Sequence, residues 1–491
     1  MNGNGNDTQL IAGVVEEVLK RLGDGTTLVT SSPSPATGAT PTTSSRNGAS
    51  GHAQGAGLFS DVDAAVEAAG AAQRQLVAKG LDARDRICKL IKRIALEHAQ
   101  AWGRFELEET KVGRLDHKVA KLELLESVPG VEMLRTEAHS GDDGIGLDEA
   151  APWGVLGVIT PVTHSIPTMT ANAINMIAAG NALVVNAHPS GAKSAALAAK
   201  AYNEAIAREL GIGPLVCVID PPTLESAEAI FAHRDVPLLV VTGGPAVARA
   251  AMKQAKRAIV AGPGNPPVVV DETADLDNAA RSIVAGAAFD NNLLCIGEKE
   301  VFVVESVFDA MMQAMRRAGA MPLEAGAVAR LTDKAFDWKD DHYVVSKDLV
   351  GQSPQVLGQA AGVQVAGGVE LLYGETEEAN PFVAEEQMMP FVPLVRVRDF
   401  EAGLELAIKH EHGFGHTAII HSNNLERITR MGRAVNTTIF VANGPCTAGL
   451  GIGGEGYPSY SIATPTGEGI TSPVTFTRFR RGTVSGALRI V

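Results

Sequence analysis

Short runs of β-branched and aliphatic residues recur along this chain, each followed by a stretch with helical spacing. No other feature limits its fold so sharply. GVLGVITP (154–161), NALVVNAH (181–188), LVCVID (215–220) and PLLVVTGG (237–244) are such runs. Helical patterns between them mark a βαβ series that builds a parallel sheet, which points to a nucleotide-binding domain. A second series begins at PPVVVDETADL (266–276), continues through KEVFVV (299–304), and reaches PFVPLVRV (390–397) and GHTAIIHS (415–422). With 491 residues, 45% of them hydrophobic, there is material for more than one packed domain. Residues 58–127, rich in Ala, Leu and charged residues at helical spacing, precede the first strand run. No repeat of solenoid period is present.

The first 57 residues have a different character. In TQLIAGVVEEVLKRL (8–22), Leu10, Ile11, Val14, Val15, Val18, Leu19 and Leu22 form one apolar stripe of a helix. A helix of this length is marginal in water and needs a surface to bury its stripe. From Thr26 to Gly57 the chain is mostly Thr, Ser, Pro, Ala and Gly, with Arg46 its only fully charged residue. Such a segment buries too little apolar surface to offset chain entropy. Residues 1–22 are therefore expected to be a docking helix and 23–57 a disordered linker. The bland reading is an extension that lies on its own domain.

Forty-two basic residues against 56 acidic ones leave a net charge of −14, which disfavours binding to nucleic-acid phosphate backbones or anionic membrane surfaces, and no local basic patch offsets it. No apolar run is long enough for a membrane span, and Met1 to Leu10 lack the pattern of a secretory leader. Cys88, Cys217, Cys295 and Cys446 are far apart and form no CxxC pair, so neither a metal site nor a disulfide framework is expected. Free thiols suit a reducing cytoplasm.

Four longer motifs carry a resemblance. AGPGNPPVVVDETADL (261–276), FDNNLLCIGEK (289–299), NGPCTAGLGIGGEG (443–456) and TPTGEG (464–469) occur in this order. The chain from about residue 58 to 491 resembles the aldehyde dehydrogenase superfamily, and within it the CoA-acylating branch found in bacterial microcompartments. The resemblance implies an α/β aldehyde dehydrogenase fold, with a Rossmann-like NAD-binding domain (58–265), an α/β catalytic domain (266–467) and a small β oligomerisation element. That element joins strands near 135–150 to the C-terminal arm (468–491), whose β-branched SPVTFTRFRRGTVSGALRIV (472–491) suits pairing between subunits of a homodimer or homotetramer.

By the same resemblance Cys295 is the nucleophile. A thiolate adds to an aldehyde, the adduct loses hydride to NAD, and an enzyme thioester remains. Cys446 is the rival thiol and reads as structural, while Cys88 and Cys217 fall in core patterns. Hydrolytic relatives carry a water-activating glutamate whose place here is Ala261, within IVAGPGNPP (259–267). Without that base water is a poor acceptor, whereas a thiol ionises near neutral pH. Transfer to coenzyme A is the expected outcome.

The oxyanion donors of the family are the backbone N–H of the cysteine and an asparagine after the first strand. Here TPVTHSIPT (160–168) offers Thr163 or His164 instead. Gly243 and Gly244 lie between a strand and a helix, where small residues let a backbone approach a pyrophosphate. Asn186, His188 and Pro189 follow a strand where the family cradles the adenosine half. Glu386, in EEQMMPFVP, matches the glutamate that holds the nicotinamide ribose. No acidic residue after the strand decides NAD over NADP. His416, in GHTA, reads as a structural turn residue. The resemblance further implies small aldehydes such as acetaldehyde and propionaldehyde as substrates, and shell proteins of a microcompartment as partners of residues 8–22. Two rival readings stand beside this: a hydrolytic dehydrogenase releasing a free acid, and a non-catalytic scaffold.

Overall fold

The computed structural model describes residues 56–339 and 341–490, so the docking helix and nearly all of the linker expected over 1–57 lie outside the described residues. The first strand series forms a six-stranded sheet with every pair parallel. Its order is Leu58–Phe59, Val216–Ile219, Ala182–Ala187, Val155–Thr160, Leu238–Thr242, Arg257–Ala261. Val155–Thr160 and Ala182–Ala187 are buried at every position, as their uninterrupted aliphatic sequences require. The helix Ser165–Ala178 is buried along all its length beside them. Chain order reverses between Val155–Thr160 and Leu238–Thr242, which opens a crevice at the carboxyl ends of those two strands. Arg257–Ala261 and Leu58–Phe59 escape sequence reading because one begins with a charge and the other has two residues.

The second series builds a seven-stranded parallel sheet ordered Met321–Pro322, Leu372–Glu375, Phe391–Val397, Glu300–Val304, Pro267–Val270, Thr417–His421, Ile439–Ala442. Its centre, Pro267–Val270 and Glu300–Val304, is wholly buried. A third, antiparallel sheet joins Glu137–Gly141, Gly144–Pro152 and Thr477–Ser485, with the last strand paired from Thr477 opposite Pro152 to Ser485 opposite Gly144. This sheet stands largely in solvent, and Phe479 is 69% exposed on it. Among the described residues no helix is long and apolar enough to cross a membrane.

The helical segment ahead of the first sheet contains Val62–Glu97, Ala99–Thr110 and Leu115–Glu123. Gly80 breaks the first of these at φ 79°, a conformation other residues resist. The last two helices bring Glu106, Lys118 and Lys121 into the interior, where the two lysines meet Asp290 from the second strand series.

Candidate active site

Cys295 lies in the loop between the 3₁₀ turn Phe289–Asn292 and the strand Glu300–Val304. Among residues 290–300 it alone is not buried. Cys88, Cys217 and Cys446 are free thiols sealed in the interior, so exposure separates Cys295 from its rival Cys446. Desolvation, reinforced by Glu386, pushes the Cys295 thiol up to about 12, and Lys299 opposes them.

The turn that leads to Cys295 is strained and heavily anchored. Asp290, Asn291 and Asn292 have φ of 50°, 55° and 62°, three consecutive left-handed residues without a glycine. Each such residue costs about 1 kcal/mol or more unless its side chain is held. Asp290 accepts from the Arg114 N–H at 2.8 Å and from Lys121, and its own N–H donates to His117 Nδ1 at 2.8 Å. Asn291 Nδ2 donates to the Gly351 carbonyl at 2.9 Å, and Asn292 Nδ2 to the Glu298 carbonyl at 3.0 Å. Burial alone would raise Asp290, but Lys121 and Lys118 outweigh it and hold the carboxyl below its ordinary range.

The same lysines reach the loop after Val155–Thr160. Lys121 Nζ lies 2.8 Å from His164 Nδ1 and 3.3 Å from the Thr163 carbonyl, and Lys118 donates to that carbonyl at 3.4 Å. Glu106 pairs with Lys118 at 3.0 Å and accepts from the Ile166 N–H at 2.9 Å. Thr163 and His164 are thereby tied through Lys121 to Asp290 and the nucleophile's turn. His164 is buried, and desolvation together with the two lysines lowers its basicity far below that of an ordinary histidine.

Gly243 and Gly244 connect Leu238–Thr242 to the helix Pro245–Met252 at the crevice where strand order reverses. A Cβ placed on Gly244 meets nothing within 4 Å, whereas one on Gly243 meets Val247 at 3.0 Å. Free space at a helix start, beside a topological switch point, fits the pyrophosphate of a dinucleotide. His188 and Pro189 are exposed at the carboxyl end of Ala182–Ala187. The His188 Nδ1 caps the next turn by accepting from the Ser190 N–H at 3.1 Å. Asn186 is engaged differently: its Nδ2 donates to the Thr223 carbonyl at 3.2 Å and its Oδ1 accepts from Ser226 Oγ at 2.5 Å. Its amide shapes the neighbouring turn.

Glu386 follows the short helix Pro381–Ala384 and accepts from the Gly264 N–H at 3.3 Å. Burial pushes its carboxyl up to about 7 against the pull of Lys299. Ala261, at the end of Arg257–Ala261, presents only a methyl group. Three residues on, a Cβ at Gly264 would come within 2.5 Å of the Cys295 carbonyl and 2.9 Å of the His416 ring. The glycine segment and His416 thus pack directly against the nucleophile's loop.

Sequence reasoning passed over Lys299 and read His416 as a structural turn residue. His416 has a buried Nε2 with no partner, while its Nδ1 meets Thr417 Oγ1 at 2.9 Å. Burial, with Lys299, drops its ring to about 4. Lys299 is fully buried among the acids and thiols of the site. No spacing in the chain links Gly264, Cys295 and His416, which only tertiary packing brings together.

An aldehyde dehydrogenase family model matches residues 41–329. The acetylating acetaldehyde dehydrogenase EutE of Salmonella typhimurium is 43% identical over 439 residues, 89% of this chain and 94% of the relative. The chain belongs to the aldehyde dehydrogenase family. Two solved structures share its fold and place it beside the acylating members. A propionaldehyde dehydrogenase of Rhodopseudomonas palustris, with bound CoA and an acylated cysteine, superimposes with a TM-score of 0.86 at 41% identity, covering 89% of this chain and 100% of that one. A propionaldehyde dehydrogenase from the fucose utilisation bacterial microcompartment of Clostridium phytofermentans gives a TM-score of 0.86 at 39% identity with the same coverage. In this dehydrogenase the βαβ series of the sequence accounts for both sheets of the family fold.

Proposed function

We propose that this chain is a CoA-acylating aldehyde dehydrogenase that converts a short aldehyde such as acetaldehyde or propionaldehyde, with NAD⁺ and CoA, to acyl-CoA, NADH and a proton. The observation that carries the reading is the pairing of one accessible thiol, Cys295, with a methyl group at Ala261 where a water-activating carboxylate would stand. The acylating relatives support it.

Cys295 attacks the aldehyde carbon, a C–S bond forms, the carbonyl electron pair moves to the oxygen, and the thiol proton is released as the proton of the net reaction. The backbone N–H of Cys295 and a donor from Thr163 or His164 hold the developing oxyanion. When bound, the dinucleotide accepts the hydride and coenzyme A supplies the thiol that takes the acyl group. Gly243, Gly244, His188 and Pro189 line the dinucleotide crevice, Asn186 holds the adjoining turn through Thr223 and Ser226, and Glu386 holds the nicotinamide ribose. Cleavage of the acyl–sulfur bond restores the Cys295 thiol.

Glu386 is a carboxylate whose charge acts on the thiol. In a hydrolytic reading it would activate water. The two readings separate in a product assay: NADH formation that depends on CoA, with acyl-CoA detected by mass spectrometry, supports acyl transfer. Free acid released at full rate without CoA would end it. Cys295→Ala is expected to abolish turnover and Cys446→Ala to retain it.

Residues 8–22 are proposed to dock the enzyme on shell proteins of a microcompartment, with the linker as tether. The microcompartment relative supports this. Deleting residues 1–57 should leave catalysis intact and abolish co-purification with shell proteins; loss of folding would defeat the idea. The exposed antiparallel sheet is proposed as the contact of a homodimer or homotetramer.

A further inference from the structure

Lys299 is a buried lysine with an unusual set of partners. Its three ammonium protons find three acceptors, all in the nucleophile's own loop: the Asn292 carbonyl at 2.9 Å, the Asn292 side-chain Oδ1, and the Leu294 carbonyl at 3.2 Å. Among the described residues no carboxylate pairs with it, although it is completely buried. Burying a charge is costly, and a buried cation normally sits against an acid. Here the flanking acids, Glu298 and Glu300, are also buried and are turned to other contacts or to none: Glu298 Oε1 accepts the Cys446 N–H at 2.8 Å, and both Glu300 oxygens lack partners.

The acceptors bracket the nucleophile. Asn292 ends the left-handed turn at φ 62°, and Leu294 is the residue whose carbonyl begins the peptide bond to Cys295. Fixing those two carbonyls fixes the plane of that peptide, and with it the Cys295 N–H proposed as an oxyanion donor. We propose that Lys299 is a positioning residue for Cys295: its ammonium clamps the turn from Asn292 to Leu294 and sets a positive charge on the loop where the thiolate must form. This rests on Cys295 being the nucleophile.

Other charges face the same place. Glu386, from the segment after Pro381–Ala384, acts on Cys295 against Lys299. Burial lowers the Lys299 ammonium from its ordinary range, Glu386, Cys295, Cys446 and Glu298 act against that, and its charge is felt by Glu300, His416 and His164. Among the described residues no carboxylate meets the ammonium at contact, so its field acts on the sulfur. A thiolate beside a cation forms at lower pH.

The test is the pH dependence of Cys295 alkylation by iodoacetamide in the full-length protein without substrate, read by peptide mass spectrometry. Lys299→Met keeps the bulk of the side chain and removes the charge. Alkylation at fixed pH is expected to slow about tenfold or more, its profile to move to higher pH by about one pH unit, and kcat to fall while the aldehyde KM stays within about threefold. A folded Lys299→Met protein with the wild-type alkylation profile would overturn the proposal, whatever its melting temperature. Should that variant fail to fold, Asn292→Gly suits the left-handed backbone and removes the Oδ1 acceptor of Lys299. The variant also loses the Nδ2 donor to the Glu298 carbonyl, which carries no charge to the sulfur; the profile is expected to shift in the same direction by less, and an unmoved profile again overturns the proposal. Label found on a cysteine other than Cys295, or turnover surviving in Cys295→Ala, would instead count against the nucleophile assignment.

Discussion

The Lys121 ammonium lies 2.8 Å from Nδ1 of His164. An ammonium only donates, so Nδ1 must accept and the ring proton sits on Nε2. Burial and the nearby lysines keep the ring from taking a second proton. His164 is therefore a neutral donor through Nε2 at neutral pH, the property an oxyanion contact needs.

Replacing His164 by Ala is expected to lower kcat about 10²-fold with little change in the aldehyde KM, the size of effect seen when one oxyanion donor is lost. His164→Asn, which restores an N–H donor, should recover part of the loss. Steady-state kinetics on both variants check this, and unchanged kcat in the Ala variant would assign the role to Thr163 or to the backbone alone.

Gly264 tests how tightly the nucleophile's loop is packed. A methyl group there would lie 2.5 Å from the Cys295 carbonyl and 2.9 Å from the His416 ring. One of them has to move. Overpacking of this kind costs about 1–3 kcal/mol, so Gly264→Ala should lower the melting temperature modestly and reduce kcat at least tenfold. A variant with normal turnover would show that the loop has slack.

Glu298 links stability to pH. Desolvation pushes its carboxyl up to about 7. Between its unfolded value and that folded value the native state holds a proton that the unfolded chain has released, so stability is fully present below the unfolded value and is lost as pH rises through the folded one. The loss amounts to about 3 kcal/mol across roughly pH 4.5 to 7. Glu298→Gln keeps an acceptor for the Cys446 N–H and cannot ionise. Denaturant unfolding of wild type and variant at several pH values should show the wild-type slope in that window flattened by the substitution; parallel curves would contradict it.

Phe479 presents an exposed ring on the strand Thr477–Ser485. Charging an exposed residue costs a free chain almost nothing but disrupts an apolar contact between copies. Phe479→Glu should lower the mass measured by light scattering while the melting transition remains cooperative. An unaltered mass would take this face out of the subunit contact.

Both parallel sheets were legible in the chain because strands covered on both faces leave uninterrupted aliphatic runs such as Val155–Thr160 and Pro267–Val270. Leu372–Glu375 and Ile439–Ala442 were not legible: each has four residues, one broken by Gly374 and the other ending in an exposed alanine. Cys295 was legible through its motif, and the structure adds that it alone of residues 290–300 is not buried. Asn186 could be read as facing a cofactor, but its amide bonds to Thr223 and Ser226 depend on a turn elsewhere in the chain.

The sequence by itself determined that this is an α/β chain of the aldehyde dehydrogenase family, because periodicity and contiguous motifs are local properties and survive without coordinates. It also determined the absence of a carboxylate at Ala261, since a residue's identity needs no structure. Only the tertiary structure decided which charges surround the nucleophile. Lys121 meets Asp290, and His416 meets Gly264, across segments remote in the chain. A field acting on a sulfur depends on distance and desolvation, and neither is fixed until the two sheets and the helices between them have packed.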